Sequence, residues 1–190
     1  NNPSLEILNE LTHHQQLGLK YYYDLQKKIP RQYITDFIHI LNNYDFNFTV
    51  CGSYRRGKDY SGDIDVLILQ EKNTCLDSII LKLKKDKLLT DDLTNKGKTK
   101  YMGICKIPNF QQYMRIDIRL IPKESYSFAT LYFTGSKDNN TYMRNIAIQS
   151  NLKLNEYGLY DKKNNNPILL KSEKDIFNYL KLKYKTPTER

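Results

Sequence analysis

The stretch Tyr113-Met114-Arg115-Ile116-Asp117-Ile118-Arg119-Leu120-Ile121 alternates residue by residue between apolar and charged side chains. Met114, Ile116, Ile118 and Leu120 fall on one parity, and Arg115, Asp117 and Arg119 on the other. A helix would scatter this order around its whole surface. A strand sorts it into a core face and a charged face, because successive side chains point to opposite sides. The chain must therefore build a sheet with one buried face, and Asp117 stands at the middle of the other.

A second run has the same logic. Val50-Cys51-Gly52-Ser53-Tyr54-Arg55-Arg56-Gly57 leads through Ser61-Gly62-Asp63-Ile64-Asp65 into the apolar Val66-Leu67-Ile68-Leu69. Asp63 and Asp65, two apart on a strand, share a face, while Ile64 points into the core. If the two strands are neighbours, Asp117 completes a cluster of three carboxylates. Such a cluster repels itself unless a cation lies within it, and Mg²⁺ favours oxygen ligands, taking the rest of its shell from water and phosphates. Three carboxylates suffice for two ions about 3.5–4 Å apart, the arrangement that clamps the attacking and leaving oxygens of an in-line phosphoryl displacement. An isolated Asp-x-Asp is common on solvated strand ends; the Gly52-Ser53 turn, Arg56 and the second strand are what lift this one. Arg115 and Arg119 are equally placed to be salt-bridge partners of Asp117.

Size and charge bound the remainder. The chain has 190 residues, enough for one domain or two small lobes with a sizeable core. Thirty Lys and Arg against 21 Asp and Glu give a net charge of +9, which suits a polyanionic partner without naming it. Cys51, Cys75 and Cys105 are odd in number and show no Cys-x-x-Cys spacing, which argues against a zinc site or a disulfide framework and for a reducing compartment. No apolar run is long enough to span a membrane, and the first residues carry no secretory pattern. A start at Asn1 without Met is expected of a fragment.

Periodicity predicts the other elements. Residues 5–29 read as helical up to Pro30, with adjacent His13 and His14 facing different directions and so not sharing a metal. Tyr33, Phe37, Ile40, Leu41 and Tyr44 form the stripe of an amphipathic helix, and residues 75–83 form another. Residues 89–96 and 98–107 read as paired strands about Gly97, with Lys96, Lys98 and Lys100 either facing phosphate or guarding a solvated edge. Helices are predicted over 125–133, 139–149 and 173–182, the last capped by Ser172. Short strands are expected near 152–154, 158–160 and 168–170, and a lobe hinged near Pro122 suits closure over a substrate.

Segments 49–57, 61–67, 97–105, 115–123, 131–136, 154–157 and 172–179, together with 11–21 upstream, resemble in unbroken order the family X DNA polymerases, and most closely the DNA polymerase beta group. The resemblance implies an α+β fold, a nucleotidyltransferase-type mixed β-sheet palm with flanking helices plus a small α+β C-terminal lobe. It divides the chain into a helical lead-in (1–27), a palm (28–122) and a nucleotide- and template-binding lobe (123–190). It implies a DNA-directed DNA polymerase transferring dNMP from dNTP to a primer 3′-hydroxyl, filling short gaps in DNA repair. Asp63, Asp65 and Asp117 match the catalytic metal ligands, for two Mg²⁺ with Mn²⁺ as a substitute. Ser53, Arg56, Gly62 and Lys28 match the triphosphate contacts, Lys28 standing where the group has an arginine. Tyr132, Phe133 and Gly135 match the segment lining the sugar, and Asn140 the reader of the base's minor-groove edge. Arg115, Arg144, Lys100 and Tyr157 match DNA and template contacts, with Arg119 and Glu156 in support. Lys137 and Thr141 depart from the pattern, which bears on fidelity and nucleotide affinity and not on the chemistry. The implied partners are gapped or primer–template DNA and dNTP, with no membrane and a monomeric state, in an intracellular, nuclear or viral setting. The resemblance reaches no lyase domain, helix-hairpin-helix element or proofreading domain. Rival readings are another nucleotidyltransferase, template-independent or RNA-tailing, and a non-catalytic basic DNA-binding module.

Overall fold

The computed structural model describes residues 10–94 and 97–190. The chain includes α1 (His13–Lys20), α2 (Tyr22–Leu25), β1 (Ile29–Pro30), α3 (Arg31–Leu41), β2 (Phe48–Val50), α4 (Gly52–Arg55) and β3 (Tyr60–Ser61). It continues through β4 (Ile64–Gln70), α5 (Leu76–Lys85), β5 (Leu89–Asp92), β6 (Lys100–Lys106) and β7 (Tyr113–Pro122). It ends with α6 (Tyr126–Thr134), α7 (Lys137–Gln149), β8 (Leu152–Leu154), β9 (Leu159–Asp161), β10 (Pro167–Ile168) and α8 (Glu173–Tyr179).

The alternating stretch is the third strand of a five-stranded sheet ordered β2-β4-β7-β6-β5. Only β4 and β7 run parallel, so the sheet is mixed, as the resemblance implies. Met114, Ile116, Ile118 and Leu120 are all buried, as the parity requires. They pack in one cluster with Ile34, Phe37 and Leu41 of α3 and Leu76, Ile80 and Leu83 of α5. Each such side chain contributes roughly 1.5–3 kcal/mol on burial, so this stripe-on-sheet contact is what holds the layer together. The helices thus cover one face of the sheet, and Arg115, Asp117 and Arg119 are left on the other.

A second core, of Phe128, Leu131, Met143, Ala147, Leu159, Ile176 and Phe177, gathers α6, α7 and α8 over the small sheet β10-β9-β8. Cys51 and Leu67 meet Ala129 of α6 in a separate apolar contact, where Ile121, Tyr126 and Phe133 also pack. Ser172 caps α8 by accepting from the Asp175 N–H, as expected. Ser136 does the same for α7 toward Asn139, so that helix begins two residues earlier than its periodicity indicates.

Some boundaries differ from expectation. Among the described residues the helix predicted over 5–29 is interrupted at 11–12 and again at Tyr21, and its residues 5–9 lie outside the described residues. Thr12 starts α1 with a capping box shared with Gln15, and the helix stops at Tyr21, whose backbone (φ −106°, ψ 11°) leaves the helical region. The cause is tertiary. The Tyr21 ring is buried against Tyr113, and its hydroxyl donates to Asp91. Strand β5 ends at Asp92 after a bulge between Leu89 and Asp91, and Lys96 of the lysine row lies outside the described residues. Among the described residues no helix is long and apolar enough to cross a membrane, and all three cysteines are free.

Candidate active site

The turn after β2 is tied to β4 by the Cys51 N–H donating to the Asp65 carbonyl at 2.8 Å. Gly52 follows with φ +61°, and a Cβ there would stand 2.5 Å from Asp65 Oδ2. Both the left-handed backbone and the close approach require glycine. The turn therefore sets α4 directly over the Asp65 carboxylate, and Gly52 is a site residue that motif matching passes over although the Gly-Ser pair contains it. Ser53 Oγ donates to Ser61 Oγ at 2.8 Å. The β1–β3 pairing of Ile29 with Ser61 brings Lys28 alongside, with Nζ 3.9 Å from where a Cβ on Gly62 would sit. Ser53, Gly62 and Lys28 are thus assembled at the start of β4 from three separate segments.

The aspartates meet as the strand argument requires. Asp65 and Asp117 are register partners on the parallel strands β4 and β7, and Asp63 sits one residue before β4. Burial, with the negative charges of Asp63 and Asp117, pushes Asp65 up to about 7 against the pull of Arg115 and Arg119. Burial raises Asp117 as well, opposed by Arg115. Asp117 Oδ1 is buried without a hydrogen-bond partner.

Neither arginine of β7 pairs with Asp117, contrary to expectation. Arg115 forms its ion pair with Asp63. Asp63 and Arg115 both lie at the partly exposed rim, where the long guanidinium reaches most readily. Arg119 instead lies over the Phe133 ring, 4.5 Å from its centroid, and its Nε is unpartnered.

No group of three His, Cys, Asp or Glu among the described residues is already arranged as a metal cage. The residues nevertheless fit a hard divalent cation. The donors are all oxygen, one is orphaned, and one carboxyl resists ionisation because it is buried beside two other carboxylates, each a deficit that such an ion removes. Arg115 would have to release Asp63 for all three carboxylates to face it.

A pH dependence follows from the raised Asp65. The unfolded chain ionises this carboxyl from its ordinary 3.8 upward, whereas the folded chain resists until about 7. The folded state therefore loses stability as pH rises through that window and carries a constant penalty above it. Asp65→Asn is expected to be more stable than the parent by up to about 4 kcal/mol at neutral pH and above, with the difference vanishing toward about pH 4. Urea denaturation of both proteins in chelator checks this; a difference that does not change with pH would rule out the assigned cause.

The residues that the resemblance matches to sugar and base contacts lie at the end of α6 and the start of α7. Arg56 donates to the Thr134 carbonyl at 2.6 Å, and its Nη1 lies 3.2 Å from where a Cβ on Gly135 would be. Tyr132 and Phe133 pack edge to face at 4.9 Å, and Asn140 Nδ2 donates to the Tyr132 carbonyl at 2.8 Å. Arg144 lies over Tyr132 at 4.9 Å and pairs with Glu156 at 3.6 Å, which accounts for both residues. Tyr157 is 63% exposed on the β8–β9 turn, and exposed Lys100 stands opposite Arg119 on β6. Neither Arg144 nor Tyr157 has a hydrogen bond or ion pair to the aspartates.

One cluster escapes motif reading. Arg55 donates to Thr134 Oγ1 at 2.6 Å and pairs with Glu173 at 2.7 Å, and Arg190 pairs with the same carboxylate at 2.6 Å. Burial alone would raise the Glu173 carboxyl, but hydrogen bonds and charge from Arg55 and Arg190 hold it below the ordinary glutamate value. Sequence shows only that Arg55 adjoins Arg56; no spacing connects it to a carboxylate 118 residues away.

Comparison with known proteins accords with this geometry. The DNA polymerase beta palm family matches residues 28–123, just over half of the 190-residue chain, and the DNA polymerase beta thumb family matches residues 129–190. The chain is 33% identical over 208 residues to DNA polymerase lambda of Rattus norvegicus, covering 96% of this chain and 36% of that protein. It is 30% identical over 216 residues to DNA polymerase lambda of Arabidopsis thaliana, covering 97% and 41%. It is 29% identical over 234 residues to the DNA nucleotidylexotransferase of Xenopus laevis, covering 97% and 46%. The chain thus spans less than half the length of these relatives. With palm and thumb matched in order and the aspartates in register across β4 and β7, the chain belongs to the family X DNA polymerases, close to the beta group.

Proposed function

We propose that the chain is the catalytic portion of a DNA-directed DNA polymerase, with a palm over 28–122 and a nucleotide-reading lobe over 123–190. The observation that carries this is the pairing of Asp65 with Asp117 beneath the Gly52 turn, since it sets carboxylates directly against the turn that bears Ser53. Two Mg²⁺ held by Asp63, Asp65 and Asp117 would neutralise the triphosphate and favour ionisation of the primer 3′-hydroxyl. Ser53, Arg56, Gly62 and Lys28 bind the triphosphate, the guanidinium offering a planar fork suited to phosphate oxygens. The 3′-oxygen attacks the α-phosphorus, pyrophosphate leaves, and the proton passes to Asp117, the carboxylate that β7 supplies opposite Asp65.

Tyr132, Phe133 and Gly135 line the sugar, Asn140 reads the base edge, and Arg144 leaves Glu156 to reach the template. Arg115, Lys100 and Tyr157 contact DNA, with Arg119 and Glu156 holding their neighbours in place. The physiological substrate in this reading is a short gap in duplex DNA, met by a monomer.

Primer extension on gapped, nicked and template-free DNA tests the proposal. Templated addition of dNTP on gapped DNA is expected, with rNTP disfavoured on the order of a hundredfold, because a clash and an unpaired hydroxyl add up to several kcal/mol. Efficient addition without template, or equal use of the two sugars, would favour a template-independent or RNA-tailing enzyme instead.

A further inference from the structure

A cleft of about 520 Å³ runs along β2, lined among others by Tyr44, Asp45, Phe46, Phe48, Val50 and Glu71. A second, of about 430 Å³, adjoins it and shares Tyr44, Asp45, Phe46 and Glu71. None of the three catalytic aspartates lines either cleft. Three observations distinguish this site from an ordinary surface fold.

The first is a free sheet edge. Strand β2 ends the order β2-β4-β7-β6-β5, so only one of its sides is paired. Thr49 pairs with Leu67, the Leu69 N–H donates to the Asn47 carbonyl, and the Cys51 N–H donates to the Asp65 carbonyl. By the alternation of an antiparallel ladder, the N–H and C=O groups of Phe48 and Val50 then point away from β4, toward the cleft. Neither residue makes a further main-chain bond outside the ladder.

The second is charge. On a chain of net charge +9, no Lys or Arg lines the larger cleft, while Asp45 and Glu71 both do. No cation among the described residues pairs with either carboxylate. The Asp45 carboxylate makes no hydrogen bond, and the Glu71 carboxylate accepts only from Asn47 Nδ2 at 3.1 Å.

The third is an aromatic wall. Tyr44, Phe46 and Phe48 follow one another with ring centroids 6.0 and 5.7 Å apart. Tyr44 already takes the Lys82 ammonium at 4.8 Å from its centroid, so the wall is one that accommodates cations.

We propose that this cleft binds an extended basic peptide segment, which adds to β2 as a further strand and directs lysine or arginine side chains across the aromatic wall to Asp45 and Glu71. The open backbone groups of Phe48 and Val50 supply the main-chain bonds of strand addition, and the carboxylates select its side chains. Nucleic acid is disfavoured because the carboxylates repel phosphate. Edge-to-edge pairing with a second copy is disfavoured because it would bring the same two carboxylates of each copy together.

The test uses a fluorescein-labelled peptide alternating Lys and Val, titrated with the chain at low salt and followed by fluorescence polarisation. Saturable binding is expected, with no binding of the Glu–Val counterpart. The double variant Asp45→Asn/Glu71→Gln should weaken binding about tenfold, and N-methylation of alternate peptide amides by a similar factor. In amide spectra, Phe48 and Val50 should shift on titration while residues of β7 do not. Affinity unchanged in the double variant, or retained by the N-methylated peptide, would overturn the proposal. So would a concentration-dependent dimer that the double variant abolishes, since the edge would then serve self-association. The N-methylated arm is read on the unaltered chain, so a folding defect in the variant cannot mask the outcome.

Discussion

Asp117→Ala is expected to abolish primer extension, by about three orders of magnitude or more, while leaving nucleotide affinity on a dideoxy-terminated primer largely intact. Asp117 comes from β7, whereas Asp63 and Asp65 follow directly from the turn that carries Ser53 and Arg56. In the proposed reading the triphosphate-side carboxylates and the primer-side carboxylate therefore belong to different strands, and their losses should separate. Asp65→Ala should lower both Mg²⁺-dependent dNTP affinity and the rate, because a Mg²⁺ site with few protein carboxylates has nothing to replace a missing one. Single-turnover extension together with nucleotide titration measures both effects. Near-parental extension by Asp117→Ala would reduce β7 to scaffold and remove the basis of the two-metal reading.

The second large effect concerns stability. Glu173 is the only carboxylate among the described residues that pairs with both Arg55 and Arg190, and its side chain is 10% exposed while that of Arg190 is fully buried. Glu173→Gln would leave two guanidinium groups without counter-charge, a loss of about 3–5 kcal/mol. At roughly 2–4 °C for each kcal/mol in a chain of this size, melting should fall by about 6–20 °C. Because the folded carboxyl is held below its ordinary value, the stabilisation is present at neutral pH and is lost as pH falls through the acidic range. The gap between parent and variant should therefore narrow toward acid. A melting temperature within a degree or two of the parent at neutral pH would show that the cluster contributes no net stability.

Much of the palm is legible in the linear pattern of residues. The parity of residues 113–121 identifies both faces of β7, and two-residue spacing places Asp63 and Asp65 on a common side, because a strand's side-chain period does not depend on its neighbours. The apolar stripes of α3 and α5 and the cap at Ser172 are readable for the same reason: each is written within a few turns of chain. Ser53, Arg56 and the segment Tyr132 to Gly135 are singled out by the family resemblance and not by periodicity. The helix expected over 5–29 fails where a distant partner intervenes, since Tyr21 leaves the helical region to bury its ring on Tyr113 and reach Asp91.

The strand faces, most of the helices and the common side of Asp63 and Asp65 thus follow from the order of residues alone, since local periodicity and short-range backbone chemistry are properties of neighbours along the chain. Tertiary packing was needed to set Asp65 level with Asp117 and to send Arg115 to Asp63 and Arg119 to Phe133. Packing also locks Arg55, Glu173 and Arg190 together, and leaves the edge of β2 open beside Asp45 and Glu71. These are choices among long side chains and strand orders that a linear pattern leaves equivalent. Burial separates them, because a charge removed from water must find the one partner that the packing brings within reach.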